Sequence, residues 1–315
     1  MARTAIIGSG LIGRAWAISF ARGGHEVALF DEDRAAPGKA IAFIRDALPD
    51  LAANELLNGE TPESVLGRIR EETDLTAALR GASHVQENTP EKLDLKKAVF
   101  AELDALAAPQ AVLASSSSAL LPSSFTEALP GRARCLVAHP INPPHLVPAV
   151  EIVPAPWTSA EAMEQTRAFM AGCGQKPIVM QREIDGFIMN RMQGALLEEA
   201  FRLVADGYAS VEDVDTGIRD GLALRWSFMG PFETIDLNAP GGVRDYALRY
   251  QNIYERLFPQ MQRRVDWAGP VMDRIEAERR KALPADRLAS RQQWRDRRLM
   301  DVVAARRRAT GKIGD

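Results

Sequence analysis

The chain has 315 residues, with 39 lysines and arginines against 42 aspartates and glutamates and a net charge of −3. That balance excludes an electrostatic case for nucleic acid or an anionic membrane surface, and the length accommodates two domains with adequate cores. Two cysteines, Cys135 and Cys173, argue against a disulfide framework or a multi-cysteine metal site, so no metal is expected. There is no basic-then-apolar leader before the first strand and no apolar run approaches 18 residues, so the expectation is a soluble cytoplasmic protein.

The first predicted strand, ending in Thr4-Ala5-Ile6-Ile7, runs into Gly8-Ser9-Gly10-Leu11-Ile12-Gly13 and then a helix. Gly8 permits the tight turn, Gly10 lets backbone approach a pyrophosphate, and Gly13 lets the helix pack close on the strand. Gly8, Gly10, Leu11, Ile12 and Gly13 are therefore candidate cofactor contacts. A second strand, Glu26 to Phe30, ends in Asp31, about 20 residues past the glycines as a dinucleotide fingerprint requires. An acid there accepts hydrogen bonds from a ribose 2′-hydroxyl and repels a 2′-phosphate, favouring NAD over NADP, while Arg34 acts the other way.

The next stretch, 32–79, is long and mixed, with helical periodicity at 40–48 and 62–66, and is expected to contain a helical excursion from the sheet. A strand is predicted near 82–86, then a helix from Asp94 to Ala107 with Leu95, Val99, Leu103 and Leu106 on one face. The strand 111–114 ends in the serine run Ser115 to Ser118, and the strand 134–138 delivers His139. Glu151 lies in the extended segment 149–153, and 176–180 reads as a further strand. Ligands of open α/β sheets bind beyond the carboxyl ends of strands, where Ser118 and His139 fall.

From about residue 185 the pattern is helical only, with Asp185 positioned to cap a helix carrying Phe187, Ile188, Met192, Leu196, Leu203 and Val204. Ser210 and Asp213 form a capping-box start, and Pro231 suits the first turn of another helix. The arginine-rich 291–298 segment reads as a solvated helix face. The fold class is thus α/β, a Rossmann-type doubly wound sheet over 1–185 followed by an all-α domain over 186–315.

Chemistry concentrates at His139-Pro140-Ile141-Asn142-Pro143-Pro144 and Glu151. Oxidising an alcohol requires a base for the hydroxyl proton, histidine titrates in the useful range, and a carboxylate on its other nitrogen fixes the tautomer. His139 and Glu151 can form that pair, with Ser118 and Asn190 holding the reacting oxygen. Each also has a plain alternative: a strand-ending turn for His139-Pro140, an edge-strand charge for Glu151, and a polar loop for the serines.

The serine run with Ala119-Leu120, His139-Pro140 with Asn142-Pro143-Pro144, Val150-Glu151-Ile152 and Gly186-Phe187-Ile188-Met189-Asn190-Arg191 together resemble the 3-hydroxyacyl-CoA dehydrogenase family. The resemblance implies an active site of Ser118, His139, Glu151 and Asn190, with Glu91, Lys96 and Asn142 contacting the nicotinamide half of NAD. It tightens toward the lambda-crystallin/L-gulonate 3-dehydrogenase branch through Gly13-Arg14, Phe228-Met229-Gly230-Pro231, Leu237-Asn238-Ala239 and Arg291-Gln292-Gln293-Trp294-Arg295-Asp296. That branch implies NAD-dependent oxidation of the 3-hydroxyl of a small hydroxy acid, and a homodimer whose helical domain serves substrate closure and dimerisation. Two departures from the acyl-CoA enzymes bear on substrate. Residues 34–70 hold one lysine, Lys39, where those enzymes receive CoA phosphates on a lysine-rich excursion, and Arg225 precedes Gly230-Pro231, where a guanidinium suits a free carboxylate. A hydroxyacyl-CoA or carnitine dehydrogenase, and a nucleotide-binding structural protein, stay open as alternatives.

Overall fold

The computed structural model describes residues 2–314 in two compact units. The first runs to Asn190 and takes back Arg295–Ala305; the second holds Arg191–Trp294 and the chain from Arg306. The first unit is built on one sheet of strands β1 (Arg3–Ile7), β2 (Glu26–Phe30), β3 (Ile69–Glu71), β4 (Ala82–Glu87), β5 (Val112–Ser115), β6 (Cys135–Pro140), β7 (Ala149–Pro154) and β8 (Lys176–Val179). Their order is β3-β2-β1-β4-β5-β6-β7-β8, with the strand direction reversing only where β7 runs antiparallel to β6. The reversal of strand order at β1 and β4 is the switch point beyond which such sheets bind ligands.

Alternation along the strands separates two apolar layers. Ile6, Leu136, Ala138 and Ile152 join Trp16, Phe20, Ile44 and Leu48 in one, whereas Ala5, Ile7, Val137 and Val153 join Val85, Phe100 and Leu103 in the other. Helices α1 (Leu11–Arg22), α2 (Ala36–Ala53), α3 (Pro62–Gly67), α4 (Leu75–Leu79), α5 (Leu93–Leu106), α6 (Pro122–Thr126) and α7 (Ala160–Gly172) belong to this unit. Both cysteine thiols are buried, which pushes each up to about 12 and keeps them protonated.

Three differences from the sequence reading emerge. The mixed stretch after Asp31 holds helices and also a short strand that the sequence reading did not single out, β3, which pairs in parallel with β2 at the sheet edge. Three residues are too few to show a period. On α5 the buried positions are Lys96, Phe100 and Leu103, while Leu106 is 43% exposed, so the helix is rotated from the face that Leu95, Val99, Leu103 and Leu106 define. Leu95 and Val99 look instead into a cavity. Helix α8 (Met189–Ala205) starts three residues later than a cap at Asp185 requires. Gly186 (φ 75°) and Phe187 (φ 48°) are left-handed, a conformation that no right-handed helix can include.

The second unit holds most of α8, then α9 (Val211–Thr216), α10 (Ala223–Trp226), α11 (Pro231–Leu237), α12 (Gly242–Met261) and α13 (Pro270–Ala282). The Ser210–Asp213 capping box is formed, and a π-helical stretch, Gly217–Leu222, leads into α10. Helix α14 (Leu288–Ile313) is more than a solvated face: Met300 and Ala304 are each 4% exposed and belong to the first unit's core, and Arg297 pairs with Asp50 on α2. Among the described residues no helix is long and apolar enough to cross a membrane.

Candidate active site

The antiparallel register of β6 and β7 sets His139 directly opposite Glu151, and Nδ1 lies 2.7 Å from Oε2. A carboxylate oxygen only accepts, so Nδ1 is the donor and carries a proton. Both side chains are buried, Glu151 completely. Its other oxygen, Oε1, accepts from the backbone N–H groups of Ile188 (2.6 Å) and Met189 (2.8 Å). These are amides at the start of α8 that no preceding turn can satisfy, and the helix dipole favours a carboxylate there. The left-handed turn at Gly186 and Phe187 presents both amides, and the buried Phe187 ring packs 5.5 Å from the His139 ring. Asn190, the second residue of α8, donates from Nδ2 to the Ser118 carbonyl at 2.8 Å. The four expected residues are therefore joined in one chain of contacts: His139 to Glu151, Glu151 to the start of α8, and Asn190 to Ser118.

The serine run performs four separate tasks. Ser115 donates to Glu87 at 2.6 Å. Ser116 accepts from Trp16 and Gln86 and donates to Asn88, while Gln86 also bonds His84, whose burial lowers it to about 4 and keeps it neutral. Ser117 donates to Glu91, and Ser118 is exposed. Burial alone would raise the Glu91 carboxyl, but hydrogen bonds from Ser117 and from the Ala119 and Leu120 amides outweigh it and hold the group below the usual range. Glu91 thus shapes the serine loop. Asn142 is exposed in the turn after β6. Lys96 is 1% exposed, and its three ammonium donors are taken by both Glu87 oxygens (2.7 and 2.8 Å) and the Thr89 carbonyl (2.9 Å).

At the carboxyl end of β1, the Gly8 backbone has φ +89°, and a Cβ on Gly13 would lie 1.9 Å from the Gly8 carbonyl oxygen, so neither position tolerates a side chain. A Cβ on Gly10 would meet no heavy atom within 4 Å, leaving open space beside Leu11 and Ile12 where α1 begins. Asp31 accepts from the Ser9 amide (2.7 Å) and hydroxyl (3.1 Å) and from the Asp33 amide (3.0 Å). It lines a cavity of about 370 Å³ with Gly8, Gly10, Phe30, Asn88 and Val99. A glycine turn open at the helix N-terminus, with an acid at the end of β2, fits the pyrophosphate and ribose of NAD.

The family models for the 3-hydroxyacyl-CoA dehydrogenase NAD binding domain and C-terminal domain match residues 3–184 and 186–274. The chain belongs to the 3-hydroxyacyl-CoA dehydrogenase family. It is 41% identical over 306 residues to the lambda-crystallin of Oryctolagus cuniculus, covering 96% of this chain and 95% of that one. It is 38% identical to the L-carnitine dehydrogenase of Pseudomonas putida, covering 78% and 76%. The solved structure of 5-formyl-3-hydroxy-2-methylpyridine 4-carboxylic acid 5-dehydrogenase, an NAD+ dependent dismutase, matches with a TM-score of 0.82 and 26% identity over 98% of each chain. This member of the 3-hydroxyacyl-CoA dehydrogenase family is accordingly an NAD-dependent oxidoreductase acting on a CH–OH group.

Glu87 went unnoticed in the sequence although it organises Lys96, Thr89 and Ser115 from full burial. A glutamate closing a strand, nine residues before a lysine on the next helix, was the available signal. In the second unit Arg225 is half-buried on α10, and among the described residues no carboxylate forms an ion pair with it.

Proposed function

We propose that the protein oxidises the 3-hydroxyl of a small free hydroxy acid, with L-gulonate as the first candidate, and that His139 is the base. The observation that carries this reading is the buried His139–Glu151 pair at 2.7 Å. Glu151 holds the proton on Nδ1, so Nε2 is free to take the hydroxyl proton, and the imidazolium that forms is stabilised by the same carboxylate. NAD, when bound, supplies the hydride acceptor. Asn190 spends one amide hydrogen on Ser118 and keeps the other, together with the exposed Ser118 hydroxyl, for the reacting oxygen. Lys96 supports the nicotinamide region by fixing Glu87 and Thr89.

A free acid is favoured over a CoA thioester because the 34–70 stretch holds one lysine, Lys39, which pairs loosely with Asp33 at 3.9 Å, and only scattered arginines beside it. Two of the similar proteins are named for free acids, L-carnitine and a pyridine carboxylic acid. Arg225 is the proposed carboxylate anchor. NADH formation with L-gulonate, 3-hydroxybutyrate, carnitine and 3-hydroxybutyryl-CoA tests the substrate class: the highest kcat/KM is expected for L-gulonate or 3-hydroxybutyrate, and a preference for the thioester overturns the reading. Arg225→Met is expected to raise KM for the preferred acid about 100-fold with a smaller change in kcat, as loss of a charge-assisted pair implies. An unchanged KM removes Arg225 from the site.

The proposed assembly is a homodimer through the helical domain. None of the 20 residues of α12 is buried, yet Tyr250, Ile253, Tyr254, Leu257, Phe258 and Met261 recur at helical spacing, each at least 37% exposed. A single amphipathic face left open is suited to a two-fold interface with a second copy. Sedimentation at micromolar concentration is expected to show a dimer, and a monomer there would refute it.

A further inference from the structure

The cavity beside the glycine turn has chemically distinct ends. Gly10 and Asp31 mark the pyrophosphate and ribose end, and Phe30, Leu75, Leu95 and Val99 make the rest mainly apolar. Leu95, Val99 and Glu102 share one face of α5 at spacings of four and three residues. Glu102 therefore stands about 4.5 Å further along the helix axis than Val99, at the rim away from the cofactor's phosphates. Among the described residues no donor reaches the Glu102 carboxylate, whereas Asp31 already accepts from Ser9 and Asp33. The remaining acid on the lining, Glu32, follows Asp31 directly and stays on the ribose side. No lysine, arginine or histidine lines the cavity.

We propose that Glu102 selects the adenine base of the cofactor by accepting a hydrogen bond from its 6-amino group. An adenine extending from a ribose held at Asp31 would lie against Leu95 and Val99, which line the same cavity, and would turn its 6-amino edge toward Glu102. A carboxylate can only accept and an aromatic amine there mainly donates, so the two are complementary. Hypoxanthine carries a carbonyl at the same position, and two acceptors then face each other. Sites that hydrogen-bond a specific donor reject analogues lacking it far more strongly than apolar pockets reject changes of size. The assignment does not depend on which hydroxy acid the enzyme oxidises.

The test compares dissociation constants of NADH and reduced nicotinamide hypoxanthine dinucleotide, titrated by nicotinamide fluorescence against the full-length protein without substrate. The wild type is expected to favour NADH by about tenfold or more. Glu102→Gln should bring the ratio to about one, since an amide can either accept from the amine or turn and donate to the carbonyl. Glu102→Lys should reverse the preference, because an ammonium donates to the carbonyl. Both changes fall at an exposed helical position, and the ratio cancels any effect on the shared phosphates. A wild-type ratio near one, a ratio unchanged in both variants, or a collapse produced by Glu32→Gln in place of Glu102→Gln overturns the proposal.

Discussion

Glu151→Gln is expected to lower kcat by about 10³- to 10⁴-fold while leaving the affinity for NADH nearly unchanged. Glutamine is isosteric, so its carbonyl oxygen can still accept from the Ile188 and Met189 amides and the start of α8 stays in place. The amide nitrogen then faces His139 Nδ1, two donors meet, and the imidazole relieves the clash by moving its proton to Nε2. Nε2 is the nitrogen that takes the substrate proton in the proposed reaction, and once protonated it cannot. Steady-state kinetics with the preferred acid, alongside fluorescence titration of NADH, separates this from a general loss of structure. A fall in kcat of less than tenfold would show that Glu151 does not set the tautomer.

Lys96→Met is expected to destabilise the protein by about 3–5 kcal/mol, because it leaves the fully buried Glu87 carboxylate without its cation. The loss is larger than removing an exposed pair such as Arg167–Glu164 would cause, since water screens the latter on both sides. Pairing the change with Glu87→Gln should recover much of it, as the uncompensated charge is then gone, the amide oxygen can still accept from Thr89, and the amide nitrogen can donate to the Ser115 hydroxyl, which turns to accept. Urea unfolding of the two single variants and the double variant closes the cycle. A cost below about 1 kcal/mol for Lys96→Met would mean that water reaches Glu87 once the lysine is shortened.

What was legible in the sequence was what local chemistry dictates. The Gly8-Ser9-Gly10 turn declares itself because backbone conformation and close approach restrict those positions, and the strands carrying His139 and Glu151 alternate cleanly between the two apolar layers. The pairing of those two residues was readable as a possibility, and the antiparallel register makes it a direct cross-strand contact. The start of α8 was not legible. Asp185 has the composition of a cap, but the first free amides are answered by Glu151, which lies 37 residues away from Ile188 in the chain. Glu87 was equally hidden, since a lone glutamate in a strand looks like a solvated charge until Lys96 is seen beside it. The rotation of α5 has the same origin: Leu95 is apolar for a cavity and Val99 serves both the cavity and the edge of the core, and hydrophobicity alone does not separate the two uses.

Helix α14 has a bearing on how the protein is made. Met300 and Ala304 belong to the same apolar cluster as Ile6 and Trp16, so the strand that starts the sheet shares a core with a helix made much later in synthesis. A chain released before residue 295 can form the sheet, but it exposes the surface those two side chains cover. The N-terminal unit is therefore not sealed by vectorial synthesis of its own contiguous sequence, as an ordinary leading domain is. Synthesis through α14 becomes a requirement for closing it, and a product terminated before α14 carries an apolar surface that chaperones and proteases recognise.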